Sequence, residues 1–179
     1  MRDKAQDQLV LDRTDDALPG RADKEALRDV LGRFTTGVAV VTTMTSRGPI
    51  GMTVNSFASV SLDPPLVLFS VSRTSQLCPH ITEADLFAIN ILSAAQAQVS
   101  RQFATPGFNR FGELEWRRGV TGAPLLPGVL ALLECRVSEV HEGGDHYITV
   151  GRIVAASTDA AVSAPLLFFR GTYREIADR

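Results

Sequence analysis

Residues 129–140 and 146–158 are two long runs rich in Val, Leu, Ile and Ala, joined by Glu142-Gly143-Gly144-Asp145. Runs of this kind, separated by so short a Gly-rich link, pair as an antiparallel hairpin. A parallel pair would need a crossover of a dozen residues or more. The hairpin commits the chain to an antiparallel sheet, and the other segments must complete that sheet.

They read as suitable partners. Gly37-Val38-Ala39-Val40-Val41-Thr42-Thr43 is β-branched almost throughout, and Arg47-Gly48-Pro49 turns it into a second strand over residues 50–54. Residues 56–61 continue extended until Asp63-Pro64-Pro65, residues 66–71 form a buried strand, and 87–92 another. With a last strand over 166–175 the count comes to about seven. Helices are few. Asp23 caps one whose apolar positions Leu27, Val30, Leu31 and Phe34 recur at helical spacing, a stripe expected to cover an open face of the sheet. A short helix is expected over 75–84, and Ser93 caps another that runs to about residue 104. Residues 105–128 read as a long irregular loop, and 1–22 as a flexible N-terminal tail before one domain spanning 23–179. The fold class expected is mainly β, an antiparallel barrel or sandwich with peripheral helices.

Several functions are excluded early. The 18 Lys and Arg against 20 Asp and Glu argue against a nucleic-acid binder that works by phosphate neutralisation, and against a basic membrane-surface protein. Cys78 and Cys135 have no second Cys or His at zinc-ligand spacing, and Cys135 alternates within an apolar strand as a core residue does. No G-x-G-x-x-G follows a strand, no G-x-S-x-G occurs, and the acidic residues read as single surface positions. The first residues carry no apolar stretch of the secretory type, so a reduced, cytoplasmic protein is expected.

Three stretches have chemistry to offer. In Gly51-Met52-Thr53-Val54-Asn55-Ser56-Phe57-Ala58-Ser59-Val60-Ser61, hydroxyls and an amide crowd a β segment, with an irregularity expected near Ser56. Such a row of neutral donors and acceptors suits a planar, heteroatom-rich ring; a solvated edge strand would look the same. Ser72-Arg73-Thr74-Ser75 lies between a strand and a helix start, as a phosphate cradle or a plain N-cap would. His146 opens a strand at the hairpin mouth, where an imidazole either reaches a pocket or stays a surface residue.

Taken together, these stretches resemble the flavin reductase family of FMN-binding split barrels, the reductase components of two-component flavin-dependent monooxygenases. The resemblance runs from Leu31-Gly32-Arg33-Phe34-Thr35-Thr36-Gly37-Val38 through Gly51-Met52-Thr53-Val54-Asn55-Ser56-Phe57, Asp63-Pro64-Pro65-Leu66-Val67 and Phe87-Ala88-Ile89-Asn90-Ile91-Leu92. It continues in Gly144-Asp145-His146, Gly151-Arg152 and Pro165-Leu166-Leu167-Phe168-Phe169-Arg170-Gly171-Thr172-Tyr173. It implies a Greek-key split β-barrel that forms a homodimer, for which Phe168-Phe169 and Val38-Ala39-Val40-Val41 offer an apolar face.

The same resemblance implies NAD(P)H-dependent reduction of FMN or FAD, with NADH or NADPH as hydride donor and a separate monooxygenase taking the reduced flavin. Two alternatives share the fold: a flavoenzyme that keeps FMN and oxidises its own substrate, and a non-catalytic flavin-binding module. Site roles follow by position. Thr53, Val54, Asn55, Ser56, Phe57, Ser59 and Val60 would line the flavin ring and ribityl chain. Thr74, Ser75 and Gln76 would meet its phosphate side, and Phe103 and Ala104 form a second contact. His146 and Tyr173 would meet the nicotinamide, His146 as the catalytic residue that orients the ring or exchanges a proton. Val54 stands where many relatives carry Ala.

Overall fold

In the computed structural model, which describes residues 24–75, 78–107, 110–162 and 164–176, the expected hairpin is the longest ladder. The tail over 1–22, the Asp23 cap and Gln76 lie outside the described residues. The chain runs α1 (Lys24–Leu31), β1 (Thr36–Gly37), β2 (Ala39–Thr45), β3 (Gly48–Val54), β4 (Ala58–Leu62), β5 (Pro65–Ser72), α2 (Cys78–Thr82) and β6 (Leu86–Ile91). After a 3-10 turn at Ala94–Gln96 come α3 (Ala97–Ala104), β7 (Arg117–Arg118), β8 (Pro124–Leu125), β9 (Ala131–Gly143), β10 (His146–Thr158), β11 (Leu167–Phe169) and β12 (Thr172–Arg174). No described helix is long and apolar enough to cross a membrane.

Every ladder is antiparallel. Seven strands form the main sheet in the order β3-β2-β6-β9-β10-β5-β4, and β1, β11 and β12 form a smaller one. The last strand expected over 166–175 is thus two strands, because Arg170 (φ 49°) and Gly171 (φ 76°) reverse the chain in a two-residue hairpin. The 105–128 stretch is not wholly irregular, since β7 and β8 pair within it.

β2 explains why its sequence shows no alternation. Ala39 and Val41 point into a core with Val67, Phe69, Phe87, Ile89 and Cys135. Val38, just before it, and Val40 point the other way, into a core with Leu92, Phe103, Phe111, Leu126 and Leu166. A strand buried on both faces must be apolar at every position. Phe87 leans edge-on against Phe69, with ring centroids 5.3 Å apart, and fills the space a side chain at Gly151 would need. Gly51 likewise admits the Phe103 ring onto β3.

Three expectations are corrected here. The α1 stripe does not cover a sheet: Val30, Leu31 and Phe34 are 55%, 64% and 79% exposed. Val38, Ala39, Val40 and Val41 are buried within their own chain, so they offer no face to a second copy. Glu134 is not a surface acid. Only 6% exposed, it accepts from the Val120 and Thr121 N–H groups and the Thr121 hydroxyl, and so holds the β7–β8 loop. On the neighbouring strand β6, buried Asn90 donates to the Val40 carbonyl and Thr42 Oγ1 and accepts from the Leu126 N–H at 2.8 Å. Both polar groups pin loop to sheet.

Candidate active site

The end of β3 builds the site because its side chains alternate there. Val54 turns into the core, at 5% exposure, while Thr53 and Asn55 face α3 and the smaller sheet. These three residues line a cleft of about 160 Å³ with Val38, Ser100, Ala104, Phe168 and Tyr173. Thr53 Oγ1 donates to the Ser100 carbonyl at 2.6 Å, and the Tyr173 hydroxyl donates to Ser100 Oγ at 2.8 Å. One α3 residue thus fixes both walls. Phe168 packs edge-on against Tyr173 at 5.6 Å, and the Arg101 guanidinium lies over the Tyr173 ring at 5.1 Å. The cleft lining itself is uncharged, as a flat ring with carbonyl and ring-nitrogen edges requires. A larger hollow, about 390 Å³ between Arg117, Leu132 and Asp159, holds none of the residues expected in a site.

The structure brings Thr53, Val54, Asn55, Ala104 and Tyr173 together and gives the other expected residues different places. Ser56 Oγ accepts from the Ser70 N–H and donates to the Ser70 carbonyl, tying the β3–β4 bend to β5. Phe57 packs on the larger core, and the Phe103 ring, 1% exposed, sits in the smaller one against Phe111. Ser59 and Val60 lie on β4 at the exposed edge of the main sheet, and the irregularity falls between Ser59 and Ser61 rather than at Ser56.

Ser72, Thr74 and His146 share the other end. His146 is paired with Ser72 in register, and the Arg73 N–H donates to the Asp145 carbonyl. Ser72 Oγ and Thr74 Oγ1 are 2.9 Å apart. The Ser75 N–H donates to the Ser72 carbonyl. Among the described residues the helix expected over 75–84 spans Cys78–Thr82, beyond the Ser72–Ser75 turn. Arg73 is engaged elsewhere, with its guanidinium 4.4 Å from the Tyr147 ring centroid and 3.3 Å from Glu142 Oε2.

His146 Nδ1 lies 2.7 Å from Asp145 Oδ1. That hydrogen bond, with the imidazole's charge, holds the Asp145 carboxyl below its ordinary value. A carboxylate only accepts, so Nδ1 is the donor of this bond, and Nε2 is the ring nitrogen left without a partner among the described residues. The described contacts of His146 and Tyr173 do not meet: one belongs to the hairpin tip, the other to the cleft.

Ser100 lines the cleft without any expectation from the sequence, and Val38 and Phe168, expected on a face for a second copy, line it too. Ser100 left one usable trace, a small polar residue on α3 a turn before Ala104. Both thiols are disfavoured as nucleophiles. Both are buried; burial raises Cys78 above its ordinary value, and burial together with the Glu134 charge pushes Cys135 up to about 12.

Comparison with known proteins agrees with this architecture. A family model described as the flavin reductase like domain matches residues 31–177. An FMN reductase (NADH) of Agrobacterium fabrum is 48% identical over 157 residues, which cover 87% of this chain and 88% of that protein. A flavin-dependent monooxygenase reductase subunit of Mycobacterium tuberculosis is 38% identical over 89% of this chain and 86% of its own length. Among solved structures, the NADH:FAD oxidoreductase of Streptomyces globisporus, in complex with NAD and FAD fragments, superposes with a TM-score of 0.83 at 41% identity. That match covers 90% of this chain and 97% of the other. On the family match and on relatives of this identity and coverage, the chain belongs to the flavin reductase like domain family.

Proposed function

We propose that the chain is an NAD(P)H:flavin oxidoreductase whose single domain spans residues 23–179 and which supplies reduced flavin to a separate monooxygenase. The observation that carries this is the uncharged cleft between Thr53, Asn55, Ser100 and Tyr173, in a chain 48% identical to an FMN reductase (NADH). The residues present fit a flavin: Asn55 is exposed beside the neutral Thr53 hydroxyl, and the Tyr173 ring is held rigid by Ser100. Relatives named for FMN with NADH, and for FAD with NADH, support either flavin and that donor. A reduced pyridine nucleotide as donor supports a cytoplasmic working site.

When bound, the flavin supplies the redox chemistry, taking a hydride from the nicotinamide of the donor. The chain's own residues bind and orient. Thr53, Val54 and Asn55 form one wall, and Ala104 and Tyr173 face it across Ser100. Ring alignment is the main service, since holding two reactants at near-attack distance removes a large part of the barrier. No side chain needs to form a covalent bond. His146, steadied by Asp145, orients the nicotinamide or exchanges a proton through Nε2, and Thr74 and Ser75 meet a phosphate beside it.

A Greek-key split barrel is supported by connectivity. The two edge strands of the main sheet, β3 and β4, are consecutive and joined by residues 55–57. Flat, seven strands at ~4.8 Å spacing would hold their edges ~29 Å apart, whereas so short a link spans at most ~14 Å. A homodimer is supported by two features. The cleft, about 160 Å³, is smaller than the ~300 Å³ or more usual for a small-molecule site, so one chain builds part of a wall. Val30, Leu31 and Phe34 are exposed among the described residues, and isologous pairing is the commonest way to bury such a face.

Donor consumption measured with NADH and NADPH against FMN, FAD and riboflavin tests the function. Turnover that scales with added free flavin is expected; no consumption with any pair overturns the reading. Light scattering should give twice the 19.3 kDa chain mass, and a monomer at micromolar concentration removes the dimer.

A further inference from the structure

Among the described residues, Arg33, Arg73 and Arg170 have anionic partners. Arg33 and Arg170 both bind the Asp29 carboxylate, at 2.9 and 3.0 Å, and Arg73 is paired with Glu142. Arg101 differs. Among the described residues its guanidinium makes one contact, with the face of the Tyr173 ring. Tyr173 cannot swing away, because its hydroxyl is bonded to Ser100 Oγ. On α3, Arg101 follows Ser100 and stands one turn before Ala104, both of which line the cleft. A fixed aromatic platform therefore holds an exposed, uncompensated cation at the rim of an otherwise neutral cleft.

The Arg101 N–H groups have no hydrogen-bond acceptor among the described residues, and a guanidinium's fork of donors matches two oxygens of a phosphate. We propose that Arg101 is a binding residue for a phosphate group of a nucleotide substrate. The proposal rests on the flavin reductase reading, in which both substrates, the reduced pyridine nucleotide and FMN or FAD, bear phosphate. An arginine in a last helical turn also offsets the helix dipole. That role alone would not distinguish one substrate from another, and it would be served equally by lysine.

The test compares each phosphate-bearing substrate with a phosphate-free counterpart: NADH with N-benzyl-dihydronicotinamide, and FMN with riboflavin. In R101Q, KM for the phosphate-bearing member of one pair should rise about tenfold or more relative to its counterpart, with kcat near wild type. A rise confined to NADH assigns the phosphate to the pyridine nucleotide, and one confined to FMN assigns it to the flavin. R101K should recover part of the loss, since it restores charge without the fork. Equal changes in both members of each pair, or none, overturn the proposal. Should the wild type consume no donor with any flavin, the flavin reductase reading itself fails. Titration with ADP and with FMN then still decides the arginine: weaker binding of either by R101Q upholds it, and unchanged binding of both overturns it.

Discussion

Thr53 Oγ1 donates to the Ser100 carbonyl at 2.6 Å, so the strand that faces the cleft and the helix that closes it are joined by one hydroxyl. Removing that donor while keeping the side chain's shape isolates the joint. Thr53→Val should cost about 1 kcal/mol of stability and raise the flavin KM several-fold, because the two walls no longer hold a fixed separation. Flavin kinetics unchanged in a folded Thr53→Val protein would show that the walls are set by packing alone.

Asn55 is exposed at the end of the same strand, with its amide directed to no described partner. If it bonds the flavin edge, Asn55→Leu leaves the fold intact and costs ~1–3 kcal/mol of binding, roughly 5–150-fold in affinity. Equilibrium titration with FMN measures this. An unaltered dissociation constant takes Asn55 out of the site.

Asn90 works on the fold instead. Asn90→Leu leaves the buried Leu126 N–H without an acceptor and unties the 124–126 segment from β2 and β6. A loss of about 2–3 kcal/mol is expected, which lowers Tm by roughly 5–10 °C at this chain length. Thermal unfolding with wild-type Tm would mean that water or a shifted loop replaces the amide.

Glu134 ties stability to pH. Burial works to raise its carboxyl, but the Thr121 hydroxyl and N–H, the Val120 N–H and the Arg117 charge outweigh burial and hold it below the ordinary 4.5. A carboxyl depressed in the folded state stabilises fully above its unfolded value and loses that contribution as pH falls through the folded one. Acid unfolding should therefore steepen below about pH 4.5. Glu134→Gln should be less stable at neutral pH and lack this part of the acid limb, as denaturant titration at several pH values would show.

The ladders were legible where pattern and turn chemistry agree. The β9–β10 hairpin and the existence of β2 follow from β-branched runs and Gly144, but that β2 is buried on both faces does not, and Ser93 precedes a 3-10 turn rather than capping α3, whose N-cap is Gln96. Others were not, because their cause is tertiary. Nothing local says that Arg170 takes a positive φ, so β11 and β12 read as one strand. Glu134 looks like any strand acid until the loop from 119 to 122 folds over it. The cleft was half legible: Thr53, Val54, Asn55, Ala104 and Tyr173 converge, but Ser100 acts partly through its main-chain carbonyl, which any residue type carries. The stripe on α1 was read correctly as apolar and wrongly as covered, since periodicity identifies a face and not what lies against it.

His146 tests which end of the site meets the donor. The ring is held by a strand opening and by Asp145, and it stands opposite Ser72 beside the Thr74 turn. Placed against the nicotinamide, it governs hydride transfer. His146→Ala should then slow the single-turnover step and raise the KM for NAD(P)H while flavin affinity stays near wild type. If Nε2 only orients the nicotinamide amide, His146→Asn recovers part of the rate, and the rate varies little with pH. If it exchanges a proton, the wild-type rate follows one ionisation that His146→Asn abolishes without recovering activity. Its neighbours allow a sharper contrast. Should the imidazole serve the flavin phosphate instead, His146→Ala would weaken FMN relative to riboflavin and leave the donor KM alone. Wild-type kinetics with every substrate would return His146 to the surface of its hairpin.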